Sequence, residues 1–204
     1  FWLTIVCNVN YYRYTFSEIS NLVIEDSSLE LLEALSKDLA DRANNLREQI
    51  ETIDEHGVMK LSFSSFKEMG QEALESFVHM NEEYGVFDYK LPLPKPFFFS
   101  NLMSYTDLVG VYSPLTMETN INIDVADYSI PSTINHELAH AYGFMREDEA
   151  NFVAYLACMK SDNIDFRYSG TMLALIHTGN QLSRKNPEAY NKIWDSYSEG
   201  VVTD

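Results

Sequence analysis

The sequence predicts an α+β domain, mostly helical, with a small antiparallel sheet placed immediately before a short helix that carries two histidines. Three observations lead there. Apolar residues recur at helical spacing over most of the chain, β-branched and aromatic runs are confined to the stretch between residues 97 and 125, and residues 136–140 read His-Glu-Leu-Ala-His. With 204 residues, 46% of them hydrophobic and 13% aromatic, the chain can bury one substantial core. One domain is therefore expected, divided into a lead-in over residues 1–16, a helical scaffold lobe over residues 17–90 and a functional part over residues 91–204.

The formal charge of −17, from 14 basic and 31 acidic residues, disfavours nucleic acid or anionic lipid headgroups as the main partner. Phe1 to Cys7 is an apolar run that stops at Asn8, far short of the ~20 residues that span a bilayer, and reads as the tail of an anchor or as an ordinary buried element. Cys7 and Cys158 form no CxxC motif and no disulfide framework, so both are expected free.

From Ser27 the helical pattern is clear. Ser27 with Glu30 makes a capping-box signature, followed by Leu31, Leu35, Leu39, Ala43, Leu46 and Ile50 at helical spacing up to a break at His56-Gly57. Ser65 with Glu68 repeats it, leading through Phe66, Met69, Ala73, Leu74 and Phe77 to Tyr84 and Gly85. Both helices read as scaffold, and His56 and His79 lack metal-ligand spacing. Pro92, Pro94 and Pro96 mark an extended connection, after which Phe97 to Ser100, Met103 to Tyr112 and Glu118 to Val125 read as short strands. Leu108, Val109, Gly110, Val111 and Tyr112 are placed along a cleft, where an edge strand could pair with an extended main chain.

His136 and His140 sit one turn apart on a single helix face, so both imidazoles can reach one metal ion, while Glu137 lies about a hundred degrees round, within reach of a metal-bound water. Such a pattern arises by chance in on the order of one chain in a hundred of this length, so the surroundings must decide. Pro131 and Ser132 suit a helix start, and Gly143 suits the left-handed turn that ends it. Tetrahedral zinc needs a third protein ligand and an open position. After the Gly143 turn, Glu147, Asp148 and Glu149 open a further helix, where they also complement its dipole. Glu147, Ala150, Asn151, Ala154 and Cys158 share one face, which the two alanines would let pack closely on the histidine helix. On that packing Glu147 joins the metal shell and Asn151 supports a ligand from behind; Glu149 remains the rival for the third position.

HExxH followed on the next helix by E-x-x-A-[DN] resembles the glutamate-zincins. The resemblance implies that Glu147 completes the zinc shell and that Asn151, four residues later, orients a histidine. HExxH-x-x-G is also similar to the metzincins, but Arg146 stands where their third histidine would be. Longer segments, NHELAHAYGFMREDEANFVAYLAC with MSYTDLVGVYSPLTMETNIN before it and FRYSG after it, together with NYYR near the start, resemble an uncharacterised family of bacterial membrane-anchored proteins, a domain of unknown function. That resemblance implies a zincin-like fold, an anchor N-terminal to this chain, an extracytoplasmic location and peptidase activity on a peptide or protein.

The expected function is zinc-dependent peptide-bond hydrolysis with one Zn2+ ion and Glu137 as general base. The alternative is a zinc-stabilised binding or sensor domain that cuts nothing efficiently. Phe166 to Gly170 reads as a turn into a helix, and Tyr168, His177 and Arg167 are the candidates to stabilise an oxyanion. Asn186-Pro187 opens a final helix through Trp194 and Tyr197.

Overall fold

Helices begin where a Ser, Thr or Asn oxygen can accept the orphan N–H groups of a first turn, and this chain supplies one at most starts. The structure, a computed structural model, describes residues 11–105 and 108–204. The expected anchor tail and Cys7 lie outside the described residues. Helix α1 (Phe16–Ile19) starts at Thr15 with a full capping box to Glu18. It carries Phe16 into the core, 5.2 Å from the Tyr84 ring and 5.5 Å from the Phe144 ring. Tyr12 and Tyr14, by contrast, are exposed.

Helix α2 (Leu29–Gln49) is capped by Ser28, one residue later than the sequence pattern suggests. Its buried face is Ser36, Leu39, Ala40, Ala43 and Arg47, so the apolar stripe is displaced from expectation: Leu31 is 64% exposed and Leu35 48%. Small residues on that face allow close approach to its main partner, α7. Helix α3 (Phe66–Tyr84) runs from the Ser65 cap to Gly85 at φ +66°, as the pattern predicts. The Glu68 carboxylate accepts the N–H of Ser64 rather than that of Ser65.

The sheet is mixed, which corrects the antiparallel expectation. Strand β1 (Lys95–Pro96) pairs parallel to β3 (Glu118–Ile121), and β2 (Gly110–Ser113) pairs antiparallel to the other side of β3. Pro96 is tolerated because β1 is an edge strand. Residues 97–99 are not strand, and the expected strand from Met103 gives way to helix α4 (Ser100–Ser104). The helical turn puts Ser100 and Ser104 on one side, where Ser100 Oγ accepts the Ile123 N–H and Ser104 Oγ meets the buried Asn122 amide and the Asp124 carbonyl. An extended strand would not bring both hydroxyls to that chain.

A 3-10 turn (Asp127–Ser129) leads into α5 (Ile130–Ala141), the HExxH helix, with Pro131 in its first turn. Helix α6 (Glu147–Lys160) follows the Gly143 bend, then α7 (Ile164–Lys185), α8 (Pro187–Trp194) and α9 (Glu199–Thr203). The segment 166–170, expected as a turn, is already helical, because Asn163 caps α7 upstream. Gly170 serves close packing instead: a Cβ there would stand 2.5 Å from Cys158 Cβ on α6.

Helix α6 packs between α3 and α7, and α5 lies against α6 and α7 with β2 and β3 across its other side. Two apolar cores result. One joins α3, α5 and α6 around Phe77, Leu138 and Phe144; the other joins α2, α7 and α8 around Leu39, Tyr168 and Leu182. Among the described residues no helix is long and apolar enough to cross a membrane.

Candidate metal centre and cleft

Helix α5 is buried along nearly its whole length, and His136 is its least buried residue. The i, i+4 spacing sets the His136 and His140 rings 4.6 Å apart and nearly perpendicular. Gly143, at φ +94°, turns the chain so that Phe144 N–H reaches the Ala139 carbonyl and its own carbonyl caps the histidine above it. His140 Nδ1 lies 2.8 Å from that Phe144 oxygen, which can only accept, so Nδ1 carries the hydrogen and Nε2 the lone pair. His136 Nδ1 lies 2.9 Å from Asn151 Oδ1, one turn along α6 from Glu147, and the same tautomer follows.

The third group comes from the first turn of α6. Glu147 Oε2 stands 3.2 Å from His136 Nε2, and Oε1 stands 3.6 Å from His140 Nε2. One ligand atom from each of the three residues can be chosen so that all lie within 4.8 Å of one another. Glu149, the rival, faces the other way and accepts the Phe16 N–H at 3.0 Å. Burial, and after it the neighbouring His140, hold His136 below the ordinary imidazole range, which favours the neutral ring that ligates a metal. The donor set of two neutral imidazoles and one carboxylate, open on the Glu147 side, suits a small divalent ion with a position left over.

Glu137 is 6% exposed, lines the same cleft as His136 and His140, and approaches β2 at Gly110. Burial and the Glu147 charge push its carboxyl up to about 7, against the lowering effect of the Tyr112 main-chain N–H. The same strand sets how near it can come. A Cβ at Gly110 would stand 2.7 Å from Glu137 Oε1 and Cγ, so only glycine leaves the carboxylate its place. Val109 O accepts the Asn122 N–H at 2.9 Å, and antiparallel alternation then turns the main chain of Gly110 and Tyr112 to the outer edge of β2, where Glu137 meets it.

These groups line a cleft of about 560 Å³, with Leu108, Val109, Gly110, Val111 and Tyr112 on one side and Leu173 and His177 of α7 on the other. His177 is thus brought to the cleft. Tyr168 is not: its ring is wholly buried in the second core, and its hydroxyl donates to Asp204 Oδ2 at 2.9 Å, which corrects its assignment as an oxyanion donor. Arg167 does not line the cleft either, and its Nε is buried without a hydrogen-bond partner. His79 bonds the Lys160 carbonyl and His56 lies exposed beside Glu55, both away from the centre.

A family model described as "Protein of unknown function (DUF3810)" matches residues 1–204. The chain belongs to that family. No curated protein and no solved structure matches it.

One feature of this DUF3810 chain escapes a reading of residue types. The group that fixes His140 is a main-chain carbonyl, which has no residue signature at all. Gly110 did carry a signal, since an isolated glycine inside a strand pattern marks a close approach by another group.

Proposed function

We propose that the protein is a zinc-dependent metallopeptidase, with His136, His140 and Glu147 as the metal ligands and Glu137 as the general base. One observation carries the reading: two imidazole Nε2 lone pairs and a carboxylate, three acceptors, converge within 3.2 and 3.6 Å, an arrangement that a cation between them would stabilise. Zinc bound there supplies Lewis acidity, which polarises a carbonyl and acidifies water. Asn151 and the Phe144 carbonyl hold the imidazoles in the ligating tautomer. Glu137, fixed by β2, takes a proton from the attacking water and delivers it to the leaving amine. The outer edge of β2 supports an extended peptide beside Glu137, and His177 stands across the cleft as a donor to the developing oxyanion. An accessible cleft beside the base favours hydrolysis over a purely zinc-stabilised binding or sensor domain. An anchor N-terminal to this chain and an extracytoplasmic site of action are proposed on the sequence resemblance alone.

Elemental analysis of the full chain, purified without added metal and then loaded, tests this. About one zinc per chain is expected in the parent and in Glu137→Gln, with little or none in His136→Ala. Peptide hydrolysis should fall by at least about a hundredfold in Glu137→Gln. A parent without zinc, or a Glu137→Gln protein that still hydrolyses peptides at the parent rate, overturns the assignment.

A further inference from the structure

We propose that a second cavity, beside the cleft, is a pocket for a substrate side chain, and that the enzyme acts next to a large apolar residue. The proposal rests on the peptidase reading and names the substrate class of that same site. The cavity, of about 420 Å³, lies among α2, α6 and α7. Its walls are Leu35, Leu39, Phe152, Tyr155, Leu173 and Ala174.

Continuity with the cleft identifies the occupant. Asn151, Leu173 and His177 line both hollows, and Asn151 Oδ1 is 2.9 Å from His136 Nδ1, so the pocket begins one side chain away from a metal ligand. A peptide lying along β2 with its carbonyl at the centre brings a neighbouring side chain to the ridge formed by Leu173 and His177, and the hollow beyond that ridge is apolar. Leu35 is 48% exposed and Phe152 44%, large apolar surface that a leucine or phenylalanine side chain would remove from water. Among the polar groups there, Asp148 sets a negative charge against an acidic residue, the Thr178 hydroxyl is already engaged with the Ala174 carbonyl at 2.9 Å, and His177 stands at the mouth shared with the cleft rather than in the hollow alone.

The test uses the zinc-loaded full chain and N-acyl amino-acid hydroxamates, whose hydroxamate chelates zinc while the side chain alone varies. Calorimetric titration should show the leucine and phenylalanine compounds binding roughly tenfold to a hundredfold tighter than the glycine compound, the gain expected for burying one such side chain. The aspartate compound should bind no tighter than glycine. In Leu35→Asp, and in Ala174→Phe, which fills the hollow, the ratio of leucine to glycine affinity should fall toward one. Because that ratio is taken within each protein, a general loss of affinity does not imitate it, and the solvent-facing Leu35 variant provides a reading even where Ala174→Phe fails to fold. A flat series on a parent that carries zinc and binds the glycine compound overturns the pocket and leaves the metal centre standing. A parent that binds neither zinc nor the glycine compound overturns both.

Discussion

Two carboxylates in this molecule meet opposite fates. Asp204, in the core between α2 and α7, has a side chain with no exposure, and its oxygens accept from Arg47 Nε at 2.5 Å, Met59 N–H at 2.8 Å and Tyr168 Oη at 2.9 Å. Each partner is a donor, and the charge is matched by a guanidinium. Glu147, on the other side of α7, has a side chain 75% exposed and stands against two imidazole nitrogens that face it with lone pairs. One region is electrostatically closed by its own chain; the other is left open by its own chain, and a bound cation is what we propose closes it. Closure is what stability asks for in a low-dielectric interior, and incompleteness at a cleft is what chemistry asks for.

The contrast can be broken by substitution, and the largest effect belongs to the closed side. Asp204→Ala leaves the Arg47 guanidinium buried without its partner and should cost about 3–5 kcal/mol of unfolding free energy, read by urea denaturation, while zinc content of the folded fraction stays unchanged. Glu147→Ala should do the reverse, removing zinc while leaving the metal-free protein as stable as the parent. Equal destabilisation by both would erase the distinction.

Gly110→Ala sharpens the open side. The new methyl collides with Glu137, so peptide hydrolysis should fall by roughly a hundredfold, with zinc stoichiometry retained and KM little changed. A parent-like kcat would show that Glu137 can work from another position. Asn151→Ala leaves His136 Nδ1 without its acceptor and should weaken zinc binding by about 10–100-fold in a competition titration with a chelator, with His140 still in place.

Cys158 gives a test by pH. Burial pushes its thiol up to about 12, so a thiol reagent should label it at mildly alkaline pH only after unfolding, as site-resolved mass spectrometry would show. The raised value means that the protonated thiol contributes fully to folding below its ordinary value of 9.0, and that this contribution is lost as the pH climbs toward about 12. The smallest effect is expected at Leu31→Ala, within about 0.5 kcal/mol, because that side chain is 64% exposed despite its place in the apolar pattern.

Much of this was legible from local pattern. Ser65 and Gly85 bound α3, the Gly143 turn ends the histidine helix, and the i, i+4 histidines share a face, because each depends on contacts within a few residues. The stripe on α2 was misplaced because Leu31 and Leu35 fit the helical period as well as Leu39 does, and only the approach of α7 selects which of them is covered. The strand expected over residues 103–112 holds only from Gly110, and its start failed for a related reason, since the partners that favour a helical turn there, Asn122 and Asp124, lie 18 and 20 residues beyond Ser104.

By itself the sequence determined both ends of α3, the α+β class and the pairing of His136 with His140, all consequences of backbone periodicity and short-range hydrogen bonding. Tertiary packing decided what lay between equally placed alternatives. Glu147 faces the histidines because Glu149 is held by the Phe16 N–H, a contact across 133 residues. His177 reaches the cleft while Tyr168 turns to Asp204, because positions nine residues apart on α7 point to opposite sides of that helix, and its rotation is fixed by where Gly170 lets it touch Cys158. Side-chain type names what a residue can do; which neighbour it meets depends on elements that pack from far along the chain, and no local pattern carries that information.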